Sequence, residues 1–170
     1  NTHYLPQQVE KFVAASAFRD RVTLVHERNL LGTAGTMIAN LDFFQGQDGL
    51  VIHADNYCLA DLSAFTSAHA RRPAHCLMTM MTFRTETPST CGIVELDTDG
   101  VVVGFHEKVA NPPGDLANGA VYLLSAELQH MMATQWRDVT DFSTEVLHRL
   151  VGRIHTYETT AFFLDIGSPE

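Results

Sequence analysis

Two carboxylates stand at the ends of apolar runs far apart in the chain. Val51-Ile52-His53-Ala54-Asp55-Asn56 delivers Asp55, and Ala161-Phe162-Phe163-Leu164-Asp165-Ile166-Gly167 delivers Asp165. As a pair they suit a hard cation such as Mg²⁺, which takes oxygen ligands and keeps positions open for phosphate oxygens. Singly, each is an ordinary turn former or cap. A third run, Phe105-His106-Glu107-Lys108, sets an ammonium beside a carboxylate, and Lys11 and Lys108 are the only lysines in the sequence. A lysine so placed can neutralise a phosphate while the glutamate accepts from sugar hydroxyls. As a solvated surface pair it would contribute little.

A fourth segment is Glu27-Arg28-Asn29-Leu30-Leu31-Gly32-Thr33-Ala34-Gly35-Thr36, between a strand-like run and a helix-like one. Its two glycines let backbone approach a flat ligand, and the start of the helix offers free N–H groups. The spacing fits neither the dinucleotide fingerprint nor a P-loop. The plain alternative is a tight turn with Thr33 as the helix cap.

Elements must bring these segments together. Residues 22–25, 50–54, 77–83, 93–96, 101–105, 120–124 and 161–164 read as strands. Asp97-Thr98-Asp99-Gly100 predicts a hairpin between the fourth and fifth of them. Residues 6–16, 34–43, 60–70, 126–134 and 142–151 suit helices, with Pro6 at a first helical position and Ser125 at a cap. Apolar strands alternating with helices predict one α/β domain over residues 1–170, with a mixed, mainly parallel sheet covered on both faces. In such sheets ligands gather beyond the carboxyl ends of the strands.

Composition narrows the classes. Of the 170 residues, 45% are hydrophobic and 18% charged, which describes a folded globular chain. Eleven Lys+Arg against 20 Asp+Glu give a net charge of −9, which argues against a nucleic-acid binder. No apolar run approaches the ~20 residues of a membrane span, so no membrane partner is expected. Cys58, Cys76 and Cys91 form no Cys-x-x-Cys pair, and reduced thiols in a cytoplasmic protein are expected.

Taken in order, the segments resemble the sugar-phosphate nucleotidylyltransferases. The matching stretches are Glu27 with Leu31-Gly32-Thr33-Ala34-Gly35, His53-Ala54-Asp55 leading to Asp61-Leu62, and Cys91-Gly92-Ile93-Val94-Glu95. Phe105-His106-Glu107-Lys108, Asn118-Gly119-Ala120-Val121-Tyr122, Asp141-Phe142-Ser143 and Asp165-Ile166-Gly167-Ser168-Pro169-Glu170 follow. The resemblance implies a three-layer α/β/α, Rossmann-like fold and transfer of a nucleotidyl group to a sugar 1-phosphate, with release of pyrophosphate. It implies Asp55 and Asp165 as Mg²⁺ ligands, and Asp55, Lys108 and Asp165 as the catalytic set. Glu27, Leu31, Gly32 and Thr33 would take the nucleotide. Gly92, Glu107, Lys108 and Asn118 would take the sugar phosphate.

The family pattern opens with a strand and a Gly-rich loop around the triphosphate, and neither matches here. The expectation is a domain incomplete at both ends and, in this form, inactive; a homo-oligomer stays open. Glu27 favours GTP, because guanine presents two adjacent donors that one carboxylate can accept together. Within the resemblance this is nearest the mannose 1-phosphate and heptose 1-phosphate guanylyltransferases, and the sugar is undetermined. Two other classes compete: a glycosyltransferase of similar fold, which would want an Asp-x-Asp motif where Asp55-Asn56-Tyr57 stands, and a non-catalytic nucleotide-sugar-binding homologue.

Overall fold

The computed structural model describes residues 1–167; the Ser168-Pro169-Glu170 end of the matched tail lies outside them. A six-stranded sheet forms the centre: β1 (Gly49–Ile52), β3 (Met78–Arg84), β4 (Gly92–Leu96), β5 (Val102–Glu107), β6 (Leu116–Leu124) and β7 (Ile154–Glu158). Its order is β5-β4-β6-β3-β7, with β1 also paired to β6. A second, two-stranded sheet joins β2 (Asn56–Cys58) to β8 (Phe163–Asp165).

The sheet is mixed, but its weight is the reverse of the expected mainly parallel one. Among the described residues the one parallel pair of this sheet is β3–β7; β1–β6, β3–β6, β4–β5 and β4–β6 are antiparallel. The cause is β6, which follows β5 through the Asn111-Pro112-Pro113-Gly114 loop instead of a helix and runs through the middle of the sheet against β1, β3 and β4. The Asp-Gly hairpin is present: Asp97 Oδ1 accepts the N–H groups of Asp99 and Val101, and Gly100 takes φ +74°.

Alternation along β3 and β6 puts a core on each face. Met78, Met80, Tyr122 and Leu124 pack with Leu128, Met132, Phe142, Leu147 and Leu150 on one side. Met81, Val121 and Leu123 pack with Phe65 on the other. Helices α2 (Gly32–Ala39) and α4 (Ala126–Gln135) cover the first face, α3 (Leu62–Ala70) the second. The three layers are therefore as expected.

Local signals explain several helix ends. Pro6 opens α1 (Pro6–Ala15). Asp61 Oδ1 caps α3 through Ser63 and Ala64, and Ser125 Oγ caps α4 through Leu128. The 142–151 helix is instead a π-helix, Phe142–Leu147, continuing as the short α-turn α5 (His148–Leu150). Residues 22–25 form no strand: the segment makes one parallel bridge, between Thr2 and His26. Among the described residues no helix is long and apolar enough to cross a membrane.

Candidate functional site

β1 ends at Ile52 and the chain turns directly into β2, so Asp55 sits between two strands. β2 pairs with β8 in the register Asn56↔Asp165, and Ile166 N–H donates to Asp55 O at 2.8 Å. This small ladder brings residues 55 and 165 side by side. A Cβ placed on Gly167 would lie 2.5 Å from Asp55 Oδ2 and 3.0 Å from Asp165 Oδ1, so the two carboxylates face one point. Both are exposed, and no third His, Cys, Asp or Glu joins them into a larger cluster among the described residues. Asp165 Oδ1 also accepts the Gly167 N–H at 2.7 Å, and the two exposed carboxylates still fit a hard cation that keeps water and phosphate ligands. Asn56, which the sequence reading passed over, holds this ladder to the sheet by donating from Nδ2 to Gly119 O at 2.9 Å.

The β4–β5 hairpin builds a second cluster. Gly92 stands opposite Glu107, and a Cβ on it would meet Glu107 Oε2 at 2.6 Å and the Phe105 ring at 2.8 Å. Glu107 is half-buried; burial raises its carboxyl above the usual range, Asp141 adds to this, and Lys108 and His148 oppose it. Lys108 is exposed, with φ +48° and its N–H donating to Cys91 O at 3.1 Å. A left-handed lysine at a strand end is uncommon.

Asn118 turns inward, not outward. Its Nδ2 donates to Tyr122 Oη at 2.8 Å, and its Oδ1 accepts the Ala120 N–H at 2.9 Å. Tyr122 is fully buried, its hydroxyl pushed up by burial, with His53 edge-on at 6.5 Å and Phe142 at 4.8 Å between ring centroids. Asn118 thus holds the irregularity in β6 between the hairpin and the carboxylate pair.

The 27–36 segment departs furthest from expectation. Glu27 is 5% exposed. Burial alone would raise its pKa, but hydrogen bonds from Thr36, the Leu31 N–H and Asn1, with the nearby terminal charge, together hold it below the usual range. Leu31 N–H donates to Oε2 at 3.3 Å, while Oε1 is buried without a hydrogen-bond partner. A groove of about 380 Å³ runs along Glu27, Arg28, Asn29, Leu31 and Asn40. The start of α2 is not free. Its cap position is Leu31, and the Ala34 and Gly35 N–H groups donate to Thr140 O at 2.9 and 3.3 Å. Gly32 (φ +79°) has Thr140 O where a Cβ would go, and Thr33 Oγ1 accepts the Phe142 N–H at 2.8 Å instead of capping α2. Thr140 and Glu145, both missed in the sequence, close this arrangement. A glutamate just inside a helix that opens on Asp141 was the available signal.

A further groove of about 300 Å³ lies beside Phe83, Arg84 and Phe163. Its Arg84 is engaged by Glu158 at 3.0 Å and Asp115 at 2.6 Å.

Comparison with known proteins bears on these clusters together. The profile of the Nucleotidyl transferase family matches residues 1–170. A glucose-1-phosphate thymidylyltransferase of Streptomyces griseus is 31% identical over 134 residues, covering 74% of this chain and 37% of that protein. A mannose-1-phosphate guanylyltransferase of Mycobacterium tuberculosis is 28% identical over 174 residues, covering 99% of this chain and 47% of its own length. The chain therefore spans less than half the length of these relatives. The crystal structure of HddC from Yersinia pseudotuberculosis complexed with GMP-PN superposes with a TM-score of 0.80 at 21% identity, over 98% of this chain and 71% of that one. It shares the fold.

Proposed function

The chain belongs to the nucleotidyl transferase family, and from that premise we propose that it serves nucleotidyl transfer from GTP to a sugar 1-phosphate, giving a GDP-sugar and pyrophosphate. The observation that carries this reading is the convergence of Asp55 and Asp165 on one point, with Glu107 and Lys108 on a hairpin that pairs with β6 at Ala117, two residues from the Gly119 carbonyl that Asn56 holds. These two aspartates would hold Mg²⁺, which when bound neutralises charge on the phosphate oxygens.

The chain's own residues do the rest. A phosphate oxygen of the sugar 1-phosphate attacks the α-phosphorus in line, the bond to pyrophosphate breaks, and no covalent enzyme intermediate is needed. Lys108 neutralises the attacking phosphate. Glu107 accepts from sugar hydroxyls, in a place Gly92 keeps open by lacking a Cβ. Catalysis is then mostly positioning and charge compensation.

Guanine is favoured over the other bases by Glu27. Glu27 lines the groove beside α2, and a carboxylate there can accept two adjacent donors, N1–H and the 2-amino group. The guanylyltransferase relative and the GMP-PN complex of HddC support this; the thymidylyltransferase relative pulls the other way.

Calorimetry with GTP, UTP, dTTP and ATP tests the base, and pyrophosphate release with a panel of sugar 1-phosphates tests the reaction. GTP should bind about ten- to a hundred-fold more tightly than UTP, since a lost buried hydrogen bond costs about 1–3 kcal/mol. In E27Q the preference should collapse. Equal affinities in the unsubstituted protein would refute the base assignment. D55N and D165N should each abolish the Mg²⁺ dependence of nucleotide binding, and retention of that dependence would refute the metal pair.

A further inference from the structure

We propose that Glu145 is a positioning residue for the base-side loop: its carboxylate clamps the Thr140–Asp141 backbone so that the Thr140 carbonyl holds the start of α2. This rests on reading Glu27–Thr33 as the nucleotide side.

Glu145 Oε2 collects three donors: the Thr140 N–H at 2.8 Å, the Asp141 N–H at 2.8 Å and the Thr140 hydroxyl at 3.2 Å. In an ordinary capping box the glutamate sits third in the helix and reaches back to the cap N–H. Here the helix opens as a π-helix after Asp141, and the glutamate serves from the fourth position. Asp141 Oδ1 meanwhile caps the turn through the Thr144 N–H and hydroxyl, both at 2.7 Å.

What the clamp holds lies more than a hundred residues earlier. Thr140 O takes two N–H groups of α2, and Phe142 N–H reaches back to Thr33 Oγ1. Donor and acceptor thus cross in both directions between the segments. Gly32 fits against Thr140 only because it has no Cβ. Residues 140 and 141 belong to no strand, so without Glu145 their N–H groups have no other protein acceptor among the described hydrogen bonds. Phe142 is anchored independently by burial against Tyr122. Loosening the clamp should therefore disturb the base side more than the Asn118–Glu107 side, which Asp141 reaches only through its charge on Glu107.

The test compares E145A and E145Q with the parent chain by amide hydrogen exchange and by calorimetry with GTP and mannose 1-phosphate. In E145A, exchange at Ala34 and Gly35 should accelerate by about tenfold or more, while Met80 and Tyr122 in the core strands stay unchanged. GTP affinity should fall roughly three- to tenfold and mannose 1-phosphate affinity by less than about twofold. E145Q, whose amide oxygen still accepts, should fall between. Unchanged exchange at Ala34 and Gly35, or an equal loss for both ligands, overturns the proposal. Should E145A not fold, E145D keeps the charge but withdraws the carboxylate by one methylene, and faster exchange at Ala34 and Gly35 is again the required result. If the parent chain binds no GTP, the nucleotide reading fails by itself, and the exchange data decide whether Glu145 clamps the loop.

Discussion

Asn118 shows how far a residue type can be read without its neighbours. Its amide suits a sugar hydroxyl, yet both ends are engaged within β6, by Tyr122 and by the Ala120 N–H. What it secures is an irregular strand in which Ala120 takes φ +49° while Gly119 does not need the left-handed region. Gly119 is required for space: a Cβ there would lie 3.0 Å from Met81 O and 3.2 Å from the Phe163 ring. The two positions should respond oppositely. A120G relieves a left-handed alanine worth roughly 1–2 kcal/mol, less the ~0.5–1 kcal/mol of added chain entropy, so stability should rise by up to about 1.5 kcal/mol. G119A should cost about 1–3 kcal/mol, as overpacking does. Urea denaturation of the two variants measures both, and a destabilised A120G would show that Ala120 is held there without strain.

At the scale of elements, what was legible was whatever a short stretch of sequence decides alone. The Asp97–Gly100 turn dictates its hairpin, Pro6 and Ser125 mark their helix starts, and the apolar runs give β1, β3 and β6. Strand direction was not legible, because β6 is apolar on both faces whether it runs parallel or returns antiparallel through the centre. β7 was missed because His155, Thr156 and Glu158 interrupt its apolar residues, and Ile154 is the only one of its five fully buried. The start of α2 was misread for a like reason: which carbonyl meets a helix start depends on a segment a hundred residues away. The hairpin offers a test of an element's role. G92A would drive a methyl into Glu107 and Phe105 without touching the 27–36 loop. Sugar 1-phosphate affinity should fall about tenfold while GTP affinity stays within about twofold, because the displaced carboxylate serves only one substrate. Titration calorimetry separates the two, and parallel losses would remove the hairpin from the acceptor side.

Across the whole molecule, the buried titratable groups bind the layers together and set a common response to acid. His69 on α3 is 4% exposed; its Nδ1 meets Thr79 Oγ1 on β3 at 2.8 Å, and its Nε2 meets Asp48 Oδ2 at 3.3 Å. Asp48 Oδ1 accepts the first N–H of α4, so one histidine joins helices from opposite faces of the sheet. Burial lowers its pKa below the ordinary 6.5, Arg72 and His155 add to this, and Asp48 opposes them. His155 is lowered likewise, by burial and by Arg72. As pH falls through about 6.5, the unfolded chain therefore takes up protons that the folded chain refuses, and stability declines. A second decline follows below about 4.5, where Asp141, Glu145 and Glu27, all held below their usual range when folded, are protonated first in the unfolded chain. Glu107 acts in the opposite sense, since its raised pKa favours the folded state as acid is added, but it is one carboxyl against three. The urea midpoint should accordingly be highest near pH 7.5, fall by pH 5.5 and fall faster below pH 4.5. In H69Q the first step should shrink while the second remains, whatever the variant's absolute stability. A first step unchanged in H69Q would mean that His69 is protonated in the folded state, with Asp48 outweighing its burial.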